Sequence, residues 1–484
     1  MFDFDIFVSD FVWVIIFINA ILVILMVFWE KTDPKSILVW TLVFWFLPLI
    51  GFVLYLFIGQ TFYSRHVFRP KGVDDELLAS IYSKEEEAME KNIAADPDNK
   101  EDIELARSVK RAGGWIYSDN NDIKLYTLGQ DKFDDLYRDL RNARKFIHIE
   151  YYIIRNDELG NELLHILTDK VKEGLEVKLL TDAFGNGKGP KRAINDFRRA
   201  GGEFALFHSV VTLLFSPKKN NRNHRKIAVI DGEIAYCGGF NVGDEYLGKG
   251  PLGFWRDSAV RICGAGIIPM EVRFTADWRY AADKEFGVTD DHFPDSLLEH
   301  HGNDRMQLVS GGPDVKENPV RMQYLLLMRT AKKTLYIHTP YLVPNDSLSD
   351  ALKMAAMSDV DVRIIMPDKP DHMFVFWNNI SAANDLMKSG VKVYMYNRGF
   401  VHSKTIVADG RYCSVGSANL DDRSMVLNFE TNAMIYSERI GMEMIDAFMQ
   451  DLEYCTEYSR EEYGRRTLRM KFKIGISKLF RGLA

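Results

Sequence analysis

Residues 224–232 read HRKIAVIDG and run on to Gly238-Gly239-Phe240-Asn241; residues 402–410 read HSKTIVADG and run on to Gly416-Ser417-Ala418-Asn419. His, Lys, Asp, Gly and Asn recur at a single offset of 178 residues. One H-x-K-x-x-x-x-D is a weak pattern; two copies agreeing at five positions are a strong one. Working outward, KFIHIEYYIIRND from Lys145 answers to TLYIHTPYLVPND from Thr334, and LEVKLLTD from Leu175 to VDVRIIMPD from Val360. Each pair reads as a buried strand, a helix and a second strand rich in β-branched residues. A duplicated α/β chain is therefore predicted, each copy a mainly parallel sheet flanked by helices. Gly311-Gly312-Pro313 marks the seam, giving repeats over 113–310 and 311–464.

The repeated residues suit one chemistry. His and Lys two apart on a strand point to the same face. Two copies brought together offer two imidazoles, His224 and His402, flanked by two ammonium groups, Lys226 and Lys404. No His/Cys set or carboxylate cluster has metal-ligand spacing, so no metal and no cofactor is expected. A phosphodiester fits such a site. One neutral imidazole can attack phosphorus and the other, protonated, can donate to the departing oxygen. The lysines would stabilise charge on the phosphoryl oxygens. Asn241 and Asn419 would add amide donors, and the Gly238-Gly239 and Gly416-Ser417 pairs, Ser417 included, would border the substrate. Asp231 and Asp409 complete the motif, but their odd offset turns them to the opposite face, where they should brace the site. His148, His338, Tyr151, Tyr152 and Tyr341 read as core residues. The remaining histidines, His292 among them, form no constellation.

Charge narrows the partner. The net charge of −7 hides a basic tail; without it and the first sixty residues the body stands at −11. So acidic a body does not bind a polyanion indiscriminately, which counts against nucleic acid. Four cysteines without a C-x-x-C pair exclude a disulfide scaffold.

The ends point to a membrane. Phe11 to Trp29 and Ser36 to Ile58 are each long enough to cross the roughly 30 Å hydrocarbon layer, so residues 1–60 are predicted to be a transmembrane hairpin. Trp13, Trp29 and Trp40 would sit at the interfaces, and Pro48 would kink the second span. Lys31 and Lys35 in the connecting loop are outnumbered by Arg65, Arg69 and Lys71 after the second span, which puts the body in the cytoplasm. Residues 61–112 read as a charge-rich connector with a solvated face. The tail, 465–484, holds seven basic residues and no acid around an apolar helical stripe, fit to lie on an anionic bilayer.

These residues resemble the phospholipase D superfamily, and most closely its bacterial cardiolipin synthases. The likeness extends to the second span, to Pro340-Tyr341, to Gly416-Ser417-Ala418-Asn419-Leu420-Asp421-Asp422-Arg423-Ser424, to Asn428-Phe429-Glu430 and to Trp255-Arg256-Asp257. It implies a site between the two halves, a phosphohistidine intermediate, no metal, His224 as nucleophile and His402 as general acid, then base. Asp257 and Glu430, some thirty residues beyond their histidines, would orient the imidazoles. The implied reaction joins two phosphatidylglycerol molecules into cardiolipin and glycerol. A hydrolytic phospholipase D and a nuclease of the same superfamily share the motif and differ in product.

Overall fold

A strand that buries both faces carries few polar residues, and Phe146–Tyr151 is buried along its whole length. The computed structural model describes residues 4–28, 34–55, 87, 89–90, 100–208, 221–284, 286–315 and 317–479 and builds one sheet around this strand and another around its counterpart. The first half contributes β1 (Tyr117–Leu128), β2 (Phe146–Tyr151), β3 (Glu176–Asp182), β4 (Glu203–Phe207), β5 (Arg222–Asn223), β6 (Ile227–Ile230), β7 (Ile234–Gly238) and β8 (Phe254–Cys263). Its sheet runs β1-β8-β7-β6-β2-β3-β4. The second half contributes β9 (Asp304–Gly311), β10 (Thr334–His338), β11 (Leu342–Val343), β12 (Asp361–Pro367), β13 (Lys392–Tyr396), β14 (Gly399–Val401), β15 (Thr405–Ala408), β16 (Tyr412–Gly416), β17 (Leu420–Asp421), β18 (Asn428–Tyr436) and β19 (Cys455–Tyr458). That sheet runs β9-β18-β16-β15-β10-β12-β13-β19, the same order strand for strand with β19 added at the edge.

The sheets are mixed, which corrects the expectation of mainly parallel ones. Within these two strand orders only β2-β3-β4 and β10-β12-β13 are parallel. Those steps are crossed by helices Glu158–Lys172 and Lys191–Arg199 in one half and by Asp346–Met357 and Met373–Met387 in the other. The motif strands β6-β7 and β15-β16 are joined by tight turns, and a tight turn can connect only antiparallel neighbours. β9 belongs to the second sheet although it precedes Gly311-Gly312-Pro313.

The halves are joined at the sheet edges, where β1 pairs antiparallel with β9, and by further contacts. One apolar cluster draws on both sheets, with Ile227, Val229, Val260 and Ile262 packed among Val401, Val407, Val415 and Ile435. Two buried arginines cross the boundary: Arg225 reaches Asp277 at 2.7 Å and the Gly311 carbonyl at 3.1 Å, while Arg256 reaches Asp451 at 2.7 Å. Removing one member of such a pair costs about 3–5 kcal/mol. Finally, β5 pairs with β18 and β14 with β8, both parallel, so each half lends a short strand to the other.

Outside the sheets, helix Phe4–Phe28 packs against Pro34–Phe46 and Pro48–Leu54. Leu47 leaves helical geometry before Pro48, and the Asn19 amide donates to the Pro48 carbonyl at 3.0 Å. Trp40 is buried with Met26, Phe44 and Tyr55. Trp29 lies outside the described residues, as do Lys31, Arg65, Arg69 and Lys71. Among the described residues, no helix is long and apolar enough to cross a membrane. Of the connector, helix Lys100–Arg111 is more than a solvated charge run. It packs Ile103, Ala106 and Val109 into the second-half core and buries Asp102 against Arg305 and Arg411. The tail helix, Leu468–Leu479, lies along Met373–Met387 with Ile474 buried and the Lys473 ammonium over the Trp377 ring.

Candidate active site

Each motif begins at the mouth of a cleft and ends in a turn. Asp231-Gly232 and Asp409-Gly410 all have positive φ, and the amides of Glu233 and Arg411 close the turns onto Ile230 and Ala408. This is the Asp-Gly hairpin turn whose twist suits antiparallel strands. The Asp231 carboxylate accepts the backbone N–H groups of Arg144, Lys145 and Phe146 at 2.7–3.0 Å. Asp409 does the same for Lys332, Lys333 and Thr334. Both motif aspartates fix the entry to the central strand and stay out of the cleft.

At the other end the histidines meet carboxylates of the opposite half. His224 sits just past β5, which pairs with β18, so its Nδ1 lies 2.9 Å from Glu430 Oε2. His402 sits just past β14, which pairs with β8, and its Nδ1 lies 2.6 Å from Asp257 Oδ2. The exchange of short strands thus swaps the acids between the motifs, where the sequence suggested each histidine would use the one thirty residues downstream. A carboxylate on Nδ1 leaves Nε2 free to act on substrate and fixes its tautomer. Glu430 is also held by the Ser417 hydroxyl at 2.5 Å and the Asn428 amide at 3.1 Å. Ser417 therefore serves the carboxylate and does not face substrate as expected. Its counterpart is Gly239, where a Cβ would lie 2.1 Å from Asp257 Oδ1.

Burial and two cations set the electrostatics. Burial, with the Lys226 and Lys404 charges adding to it and Glu430 opposing, pushes His224 down to about 4. Burial and Lys404 lower His402 below the ordinary histidine value against the pull of Asp257. Both rings are thereby neutral before an anion arrives. The same burial lowers Lys226 to about 7 and Lys404 to about 8. Burial opposes the charge on Glu430 and Asp257, yet the His and Lys beside each hold both carboxyls below their usual range. Each ammonium donates to the backbone carbonyl of its own motif histidine, so the lysines stand behind the rings and do not line the cleft.

The cleft is one cavity of 870 Å³ that both His224 and His402 line. Asn241 and Asn419 line it as expected. Asn241 is partly engaged, accepting from Ile153 N–H and donating to the Tyr246 hydroxyl, whereas Asn419 Oδ1 is buried without a protein partner. Tyr152 and Tyr341, read from sequence as core, are wall residues; the Tyr152 ring stands 5.1 Å edge-on to His224. Arg222, Arg423, Glu245 and Asp371 add charge that the motif did not announce.

His148 and His338 are core residues, as expected. His338 bonds to Thr405 and Asp451, and His148 to Glu271 and Glu176. His292, which showed no constellation in the sequence, joins His148 and Glu176. Among the described residues this is the one trio whose ligand atoms approach closely enough for a metal. Lys178 bonds to Glu176 at 2.7 Å and both nitrogens of His148 face carboxylates, an arrangement that a protonated imidazole satisfies by itself.

Comparison with known proteins agrees with this architecture. The family described as cardiolipin synthase, PLD-like domain, matches residues 136–249 and 324–452, and a phospholipase D-nuclease N-terminal family matches residues 11–60. A cardiolipin synthase of Staphylococcus aureus is 41% identical over 467 residues, 96% of this chain and 94% of its own. Another from Listeria monocytogenes is 38% identical over 470 residues, 96% of this chain and 97% of its own. A solved phosphatidylserine synthase from Haemophilus influenzae superposes with a TM-score of 0.59 at 16% identity, over 78% of this chain and all of that one, a likeness of fold. With both motif halves matched and 41% identity running through nearly its whole length, the chain belongs to the cardiolipin synthases of the phospholipase D superfamily.

Proposed function

We propose that the chain is a membrane-bound phosphatidyltransferase that makes cardiolipin from two molecules of phosphatidylglycerol. His224 Nε2 attacks the phosphorus of the first lipid. With the phosphodiester anion bound, His402 is protonated; the P–O bond to glycerol breaks, His402 gives that proton to the departing oxygen, and a phosphatidyl-histidine remains. His402, now neutral, takes the proton from a hydroxyl of the second lipid. That oxygen forms a P–O bond, the P–N bond breaks, and His224 is restored. One phosphodiester replaces another, so the balance closes without a nucleotide. The field of Lys226 and Lys404 stabilises the pentacoordinate phosphoryl charge, and Asn241 and Asn419 orient the headgroup.

The observation that carries this reading is the single cavity in which two carboxylate-held imidazoles converge before two buried lysines. The hairpin supplies the membrane. Trp13, Phe17, Trp45 and Phe46 point outward while its few inward side chains pack on each other, an inside-out distribution that suits lipid. The loop charges favour a body on the cytoplasmic side, and the basic tail, with Leu468 and Phe472 exposed, suits contact with anionic headgroups. Purified full-length protein in vesicles of labelled phosphatidylglycerol should yield cardiolipin and free glycerol in equal amounts. Phosphatidic acid without cardiolipin would instead identify a hydrolase.

A further inference from the structure

The two ends of the cavity ought to match under the 178-residue offset, and they do not. Arg222, two residues before His224, answers to Phe400, two before His402. Arg423, four residues after Asn419, answers to Glu245, four after Asn241. In the exchanged strand pairs Arg222 lies opposite Asn428, whereas Phe400 lies opposite Trp255.

The outcome is a polar cavity. Around His224 stand Arg222 and Arg423, and the Arg222 guanidinium lies 4.6 Å from the ring of Phe184, on the loop that also brings Lys188 to the wall. Around His402 stand Trp255, with its ring 5.4 Å away, and Tyr246 at 6.1 Å, with Glu245 and Asp371 on the same wall. Arg222 is buried, and burial lowers its pKa; Asp182 opposes that shift and Arg423 adds to it. Two guanidinium groups from opposite halves thus converge on one end of a cleft whose other end is aromatic, with Glu245 there already paired to Arg155 on the same wall.

We propose that Arg222 and Arg423 hold the phosphodiester of the second, acceptor lipid. The inference rests on the two-lipid reading above. In that reaction the acceptor's own phosphate is three carbons from the attacking hydroxyl, and the cavity that both histidines line extends to the two arginines. A guanidinium fork matches two phosphate oxygens, and a pair of them gives the acceptor both charge and orientation. Glycerol and water have no anion to place there. The arginine pair thereby favours a lipid hydroxyl over a neutral alcohol, which turns a phospholipase-type site towards synthesis.

The test uses full-length Arg222→Gln and Arg423→Gln in phosphatidylglycerol vesicles with labelled free glycerol in solution. Cardiolipin reports the anionic acceptor; labelled phosphatidylglycerol reports a neutral one acting on the same phosphatidyl-enzyme. The ratio of the first product to the second should fall about tenfold or more in each variant. Arg222→Lys and Arg423→Lys, which keep the charge but lose the fork, should lie between, and they supply the ratio should a Gln variant make neither product. A ratio that does not move would overturn the inference, whether both products persist or both decline together. A wild type that incorporates glycerol but makes no cardiolipin would instead overturn the two-lipid reading.

Discussion

Glu430 Oε2 lies 2.9 Å from His224 Nδ1 although 206 residues separate them, and Asp257 makes the reciprocal contact with His402 across 145 residues. The pairing predicts which acid tunes which ring. Glu430 raises the His224 pKa, so Glu430→Gln should move the acid limb of kcat/KM below about 4, and Asp257→Asn should leave that limb where it is. Each change should also slow turnover by roughly 10²–10⁴-fold, the usual cost of releasing a catalytic imidazole from its carboxylate. A pH–rate profile for each variant decides the matter; a His224 limb that follows Asp257 contradicts the swap.

Free and substrate-bound enzyme should differ in pH dependence. The first half-reaction needs His402 protonated, yet burial and Lys404 hold its pKa below 6.5. Protonated His402 is lost as pH rises through that lowered value, so kcat/KM should decline already below about pH 6.5. Loss of charge on Lys226 near 7 and Lys404 near 8 steepens the decline. A bound phosphodiester anion raises all of these values, and kcat should hold to higher pH. Superimposable profiles across about pH 5–9 would contradict this account.

Gly239 has no room for a side chain, because its Cβ would stand 2.1 Å from Asp257 Oδ1. Gly239→Ala should therefore displace Asp257 and release His402, lowering kcat roughly as far as Asp257→Asn does. The double variant should be no slower than the worse single one. Additive losses would mean that the glycine acts elsewhere.

Two protonic groups and two ammonium charges suffice for the proposed transfer. His224→Ala and His402→Ala should each reduce cardiolipin formation by at least about 10³-fold, and EDTA should leave the wild type active. Inactivation by EDTA that an added divalent ion reverses would refute the metal-free scheme.

Deleting residues 465–484 should weaken attachment to anionic vesicles more than to zwitterionic ones, about 1 kcal/mol for each basic residue at the surface. Sedimentation with the two vesicle types reads this directly. Because Ile474 is buried against the body, the deletion should also lower thermal stability. Equal loss of binding to both lipids would reject the electrostatic role.

Much of the site was legible because it is written twice in the chain. The offset fixes His224 against His402; Asp231 and Asp409 do point away from the cleft as expected, but because they sit in the Asp-Gly turns beyond the strands, not through strand alternation. The acid pairing was not legible, since it depends on β5 and β14 crossing to the other half, and two-residue and three-residue strands leave no periodic signal. Ser417 was misplaced for a different reason: β16 and β18 are antiparallel neighbours in the second sheet, and that pairing sets its hydroxyl against Glu430. The mixed sheet could have been foreseen from the Asp-Gly turns. Register was harder. The resemblance of residues 145–157 to 334–346 sets Asn156 over Asn345, a 189-residue step, whereas Ile147 pairs with Ile230 and Leu335 with Ala408, a step of 188. Strands buried on both faces carry no alternation that would reveal such a slip.

The crossed short strands bear on how such a chain could be divided. Severed between Ala282 and Asp304, it would give an amino-terminal fragment whose imidazole lacks its acid and a carboxy-terminal fragment with the mirror defect. Neither piece would turn over by itself, and co-folding would restore both dyads at one stroke. A single-motif ancestor working as a homodimer would have met the same requirement, so tandem fusion of its gene would preserve reciprocity already present between subunits.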